Sequence, residues 1–159
     1  MKKALLLLDP QNDFFGEDNP NLSAFQATIP VINAVIAIFR EQDWPIIFIQ
    51  HTSKRKPEGS NIWKIHPQFS LHPEDICLSK AHFNAFWQTD LDTILKTEQV
   101  ESVIVCGYMS EFCVLSTLRA AMEHGFEAAI LEGAIASLNN HYTQFTLEIS
   151  PKLKIDQIK

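Results

Sequence analysis

Short, unbroken apolar runs alternate along this chain with segments in which apolar residues return every three or four positions. Residues 4–8 (ALLLL) form a run too short for a helix, and it stops at Asp9-Pro10, where proline forbids regular continuation; this predicts a buried first strand. Residues 45–49 (PIIFI) predict a second strand ending at Gln50-His51, residues 76–78 a brief third before Ser79-Lys80, and residues 103–106 a fourth that halts at Gly107. Residues 126–131 give a fifth, with Gly133 as a turn, and residues 153–155 a short last strand after an ill-defined polar segment, 139–147.

Helical spacing fills the gaps. Thr28 is placed to cap a helix with Pro30 in its first turn, and Ile29, Ile32, Val35, Ile36 and Phe39 share one face before Arg40. Thr89 caps a second helix, with Asp92 set to reach back and Leu91, Ile94 and Leu95 facing inward. A third follows Gly107, its stripe read as Phe112, Leu115, Leu118, Ala121 and Met122, and Gly125 ends it. Residues 52–75 are polar, without period and longer than most connections, which predicts a functional loop in which Trp63, Ile65 and Phe69 pack a lid.

Apolar strands alternating with capped helices call for α/β architecture: a three-layer α/β/α sandwich around a mostly parallel, doubly wound sheet. Ligands of such sheets bind beyond the carboxyl ends of the strands. Asp9, His51, Lys80 and Cys113 all fall there.

The 159 residues suit a single domain, 1–159, with 46% hydrophobic and 20% charged residues. A net charge of −6 with scattered Lys and Arg argues against nucleic acid as a partner. The one basic cluster, Lys54-Arg55-Lys56, reads as a solvated loop in preference to a grip on an anionic substrate. No apolar run approaches the ~20 residues of a membrane span, and Met1-Lys2-Lys3 leads into only a strand, so neither a membrane nor a signal peptide is expected. Three cysteines, an odd number, fit a reducing, cytoplasmic setting; Cys77 and Cys106 lie in strand-like runs and read as core.

Cys113 stands one helical turn past a strand end, where unpaired backbone N–H groups and the helix dipole favour a thiolate and could hold an oxyanion beside it. Packing of a small apolar side chain is the other reading. A cysteine hydrolase also needs a base, a group to fix it and oxyanion donors. Asp9 can take the thiol proton, Lys80 can orient and charge-balance Asp9, and the N–H groups around Met109 and Cys113 can face the oxyanion. Burial would raise the proton affinity of Asp9 while Lys80 lowers it. A purely structural Asp9–Lys80 pair is the weaker reading, since replacing such a pair with apolar residues often costs nothing.

Three segments in register, Leu8-Asp9-Pro10-Gln11-Asn12-Asp13-Phe14, Ser79-Lys80-Ala81-His82-Phe83-Asn84-Ala85-Phe86 and Cys106-Gly107-Tyr108-Met109-Ser110-Glu111-Phe112-Cys113-Val114, resemble the isochorismatase-like cysteine hydrolases, which include nicotinamidases. The resemblance runs to about Ser137. It implies Asp9, Lys80 and Cys113 as catalytic triad, oxyanion amides from Met109 and Cys113, and a non-proline cis peptide between Tyr108 and Met109. It implies Asp13 and Phe14 in a pocket-lining loop, with His51 and Phe86 also expected against a small-molecule substrate. Nicotinamidases carry an aspartate–histidine metal site after the second strand. Gln50-His51 lacks that arrangement, so no metal or other cofactor is expected, and His66, His72 and His82 are at most substrate contacts. Gly133 stands where relatives more often have an acidic residue, and the tail is short. A homo-oligomer is implied, with Trp63, Phe86 and Trp87 serving the pocket or the interface. The leading activity is hydrolysis of a small amide or related C–N bond through a thioester. The alternatives are isochorismate-type vinyl ether hydrolysis and a non-enzymatic phosphoacceptor or oligomeric binding module.

Overall fold

The computed structural model describes residues 1–158 as six parallel strands with four α-helices. The strands are β1 (Lys3–Leu8), β2 (Ile46–His51), β3 (Ile76–Lys80), β4 (Ser102–Tyr108), β5 (Glu127–Ala136) and β6 (Lys152–Leu153), in the spatial order β3-β2-β1-β4-β5-β6. Alternation along β1 divides the core. Leu5 and Leu7 face α1 (Leu22–Glu41), while Leu6 and Leu8 face the layer of α2 (Leu91–Thr97) and α3 (Leu115–Glu123). Leu5 to Leu8 have no exposed surface, and each such leucine contributes roughly 2 kcal/mol through burial.

The connection after β3 decides where a ligand binds. β1 to β2 to β3 builds outward in one direction; the chain then returns across the sheet through α2 and lays β4 on the other side of β1. The strand order therefore reverses between β1 and β4, opening a crevice at their carboxyl ends. Asp9 follows β1 and Cys113 follows β4, while His51 and Lys80 are the last residues of β2 and β3 and stand opposite one another in the register.

Several boundaries differ from the sequence expectation. α1 begins at Leu22, so Thr28 lies inside it; its hydroxyl bonds the Phe25 carbonyl and the Tyr108 hydroxyl, a buried use that Thr28 shares with a cap only in residue type. α1 is long and apolar enough to cross a membrane by length and composition, yet its apolar stripe, Phe25 through Phe39, packs on the sheet. α4 (Asn140–Glu148) forms in the segment read as ill-defined, with Asn139 capping it through the His141 N–H; among its residues only Thr146 is buried, which is why no apolar period marks it. β5 does not end at Leu131 but runs through Gly133 to Ala136, passing an irregularity opposite Val105 and Gly107. At α2 the N-cap position falls to Asp90, whose side chain makes no capping bond; Thr89, expected there, stands one residue earlier and accepts from the Leu91 N–H, and Asp92 turns away to Lys96 and His124.

The 52–75 segment is pinned in place. Gln11, fully buried, exchanges hydrogen bonds with the His51 backbone in both directions and donates to the Trp63 carbonyl at 2.8 Å; Gln50 donates to the same carbonyl, and Gln11 bridges Ile65. Phe69 is buried against Phe15, so this part of the loop closes the α1 side of the core and is no lid.

Candidate active site

Four strand ends converge on one ammonium. Lys80 Nζ lies 3.1 Å from Asp9 Oδ1, 3.1 Å from Cys113 Sγ and 3.2 Å from His51 Nδ1. Asp9, Lys80 and Cys113 are 3%, 2% and 5% exposed, so these contacts form away from bulk water. Asp9 takes a positive φ of 50°, in the left-handed region that aspartate tolerates better than most residues, and its N–H donates to the Ile49 carbonyl at 2.7 Å. This kink ends β1 and turns the carboxylate toward its neighbours on β3 and past β4.

The nucleophile candidate sits on a π-helical turn, Ser110–Val114, that leads into α3. The peptide bond between Tyr108 and Met109 is cis. On either side of Cys113, the N–H groups of Phe112 and Val114 both turn to the Met109 carbonyl, at 3.1 and 3.3 Å. The wide turn also changes which side chains face inward. Val114, Thr117, Leu118 and Ala121 are buried, whereas Phe112 and Met122, expected in the core stripe, are exposed.

The protonation states differ from the helix-terminus expectation of a resting thiolate. Burial first, and the Asp9 charge second, push the Cys113 thiol up to about 12, although Lys80 opposes them. The thiol thus keeps its proton at neutral pH and requires a base. Burial, reinforced by Lys80, holds His51 below the usual histidine range, leaving a neutral ring whose Nδ1 accepts from Lys80. With Nδ1 accepting, the ring proton belongs on Nε2.

A cavity of about 120 Å³ opens beside this group. Asp9, His51 and Cys113 supply its reactive wall; Phe14, Phe83, Met109 and Phe112 supply apolar walls; Lys56 completes the rim. A larger cavity, about 460 Å³, lies at the amino ends of β1 to β3 beside Arg40, Trp44 and Asp75, away from all these groups.

Of the expected substrate contacts, Phe14 and His51 line the cavity. Asp13 is set back and pairs with Lys56. Phe86 is a correction: its ring is buried in the core, stacked on His124 with centroids 4.7 Å apart and packed near Phe126, because the chain turns inward at Ala85, whose N–H donates to Thr117. Trp63 likewise turns to Thr52, its indole N–H donating at 2.9 Å. Lys56, expected in a solvated cluster, is instead half-buried, its side chain only 11% exposed. Phe83 lies within a quoted motif, the one signal that pointed to it.

Among the described residues, Asp9, His51 and Cys113 place donor atoms within 4.8 Å of one another, a grouping able to hold a metal ion. They do not fit one here, because the Lys80 ammonium already stands among them at hydrogen-bond distance. A nicotinamidase-type histidine site is not assembled either: His66 stacks on Phe15, His72 pairs with Glu74 at the surface, and His82 meets Gln88.

Fold and site together define an α/β protein with a buried cysteine–lysine–aspartate centre at the switch point of a parallel sheet. The isochorismatase domain matches residues 3–150, and the chain belongs to the isochorismatase family of hydrolases. It is 30% identical over 162 residues to the isochorismatase family protein YddQ of Bacillus subtilis, covering 96% of this chain and 84% of that one. The isochorismatase-like hydrolase of Alkaliphilus metalliredigens superposes with a TM-score of 0.89 at 25% identity, over 99% of this chain and 96% of the other. The N-carbamoylsarcosine amidase of Thermoplasma acidophilum shares the fold with a TM-score of 0.86 at 20% identity, over 100% and 99%.

Proposed function

We propose that this hydrolase cleaves a small amide or related C–N bond through a thioester on Cys113. The observation that carries the reading is the Lys80 ammonium in simultaneous reach of a carboxylate and a thiol, both buried. Asp9 removes the Cys113 proton, and Lys80 offsets the charge that moves from oxygen to sulfur. The thiolate adds to the carbonyl carbon, and the N–H groups of Met109 and Cys113 receive the oxyanion. Asp9 then returns the proton to nitrogen, the C–N bond breaks, and an amine or ammonia departs. Water, deprotonated by Asp9, adds to the thioester and releases the acid and the thiol. A C–N substrate agrees with the amidase named among the structural relatives.

Cys113→Ala should abolish hydrolysis across a panel of small amides and ureides while the circular dichroism spectrum is unchanged. Full turnover by that variant contradicts the assignment and favours vinyl ether hydrolysis with Asp9 as acid. The protein is further proposed to act as a cytoplasmic homo-oligomer. Phe83 and Phe112, tilted against each other with centroids 5.1 Å apart and both exposed beside the cavity, are apolar surface that a second copy would cover. Light scattering should give a multiple of 18.1 kDa; a single-chain mass at micromolar concentration contradicts this.

A further inference from the structure

Lys54, Arg55 and Lys56 are consecutive, yet only the last enters the cavity. Ser53 and Lys56 exchange backbone hydrogen bonds in both directions at 3.1 Å, closing a tight turn. Lys54 and Arg55 occupy its exposed tip, and Lys56 stands at its neck. From there its ammonium lies 5.0 Å above the centroid of the Phe14 ring and pairs with Asp13. A cation over an aromatic face inside a partly desolvated rim is attracted to that ring, and its field is less screened than at the surface.

Asp9 and Lys80 offset each other, the Cys113 thiol is protonated and His51 is neutral. Of the Lys56–Asp13 ion pair only Lys56 lines the cavity, so the pair, neutral as a whole, presents its cation to a ligand. We infer that Lys56, seated on Phe14 and held from behind by Asp13, forms an anion subsite, so that the substrate carries a carboxylate near the bond that is cleaved. This rests on Cys113 as nucleophile and names the substrate class: a small amide or ureide that is also a carboxylic acid. Lys56 contacts that carboxylate and sets specificity, while Asp13 is a positioning residue.

Two alkylating reagents of nearly equal size test it without a known substrate. In each, the thiolate sulfur displaces iodide, forming an S–C bond as the C–I bond breaks. Iodoacetate carries a carboxylate where iodoacetamide carries a neutral amide. Rates at Cys113 are read by peptide mass, with exposed Cys77 as internal reference. Lys56→Met should lower the iodoacetate-to-iodoacetamide ratio at Cys113 roughly tenfold, and Lys56→Arg should largely keep it. Because Lys56→Met strands the Asp13 carboxylate, the double variant Lys56→Met/Asp13→Asn is measured as well and should show the same fall. Arg55→Met removes the same charge from the tip of the turn and should leave the ratio within about twofold, since an exposed charge is screened. An unchanged ratio in both Lys56→Met variants, or an equal fall in Arg55→Met, overturns the subsite. Cys113 resisting both reagents while Cys77 reacts overturns the nucleophile assignment instead, and the subsite with it.

Discussion

An ammonium has three protons to donate, and Lys80 has three acceptors for them, Oδ2 of Asp9, Nδ1 of His51 and Sγ of Cys113. This arrangement requires an unprotonated His51 ring. An imidazolium would have no lone pair for Lys80 and would add a like charge beside it. Burial and Lys80, with smaller contributions from Lys56 and His82, hold His51 below 6.5, while Asp9 opposes them. On acidification the unfolded imidazole binds its proton first, so stability is lost as pH falls from 6.5 toward the lowered folded value, and the competent lysine geometry is lost only as pH falls through that folded value, which lies below 6.5. Activity should show an acid limb there, read from the pH dependence of kcat/KM. In His51→Asn, whose side-chain oxygen can accept near the former Nδ1 but does not titrate, the limb should move to lower pH. An unmoved limb contradicts a role for His51 in setting it. On the alkaline side, the buried Cys113 thiol favours the folded state below its ordinary value of 9.0, and that contribution is lost between about 9 and about 12.

At the level of elements, β1 and β4 approach so closely that only glycine fits between them. Gly107 has a φ of +106°, and a Cβ built there would fall 2.0 Å from the Leu8 carbonyl oxygen. Gly107→Ala should therefore cost about 2–4 kcal/mol in a urea titration, combining positive-φ strain with backbone displacement. A loss under about 0.5 kcal/mol contradicts the close approach. The sequence predicts that the strand halts at Gly107, but β4 continues through it to Tyr108, and the contact of Gly107 with Leu8 depends on which strands become neighbours. The same limit explains the nucleophile helix. A 3.6-residue period places Phe112 in the core, whereas the π-helical turn rotates it out to the cavity rim, where it meets Phe83. Thr28 shows the limit in α1: a capping residue type served equally well as a buried partner for Tyr108.

Across the whole molecule, the parallel sheet and the convergence of Asp9, Lys80 and Cys113 were legible because both follow from strand ends, which short apolar runs mark clearly. What lay around them was not. Phe86 is six residues from Lys80 in a shared motif, yet the direction of its ring was decided by contacts with His124 and Phe126 more than 35 residues away. Lys56 was hidden for the opposite reason: a charge cluster looks solvated until a tight turn separates its members. Gln11, next to a candidate base, carries no chemistry of its own; it holds the ends of β1 and β2 and the 52–75 segment in fixed relation.

The central claim is that Cys113 carries the acyl group, and it is tested most directly by rapid acid quench of the protein with an accepted carboxylated amide, followed by intact mass and peptide mapping. The account predicts a mass increase equal to the acyl fragment, on the peptide containing Cys113 and absent from Cys113→Ala. An adduct on another residue, or steady turnover at the wild-type rate in Cys113→Ala, would contradict it.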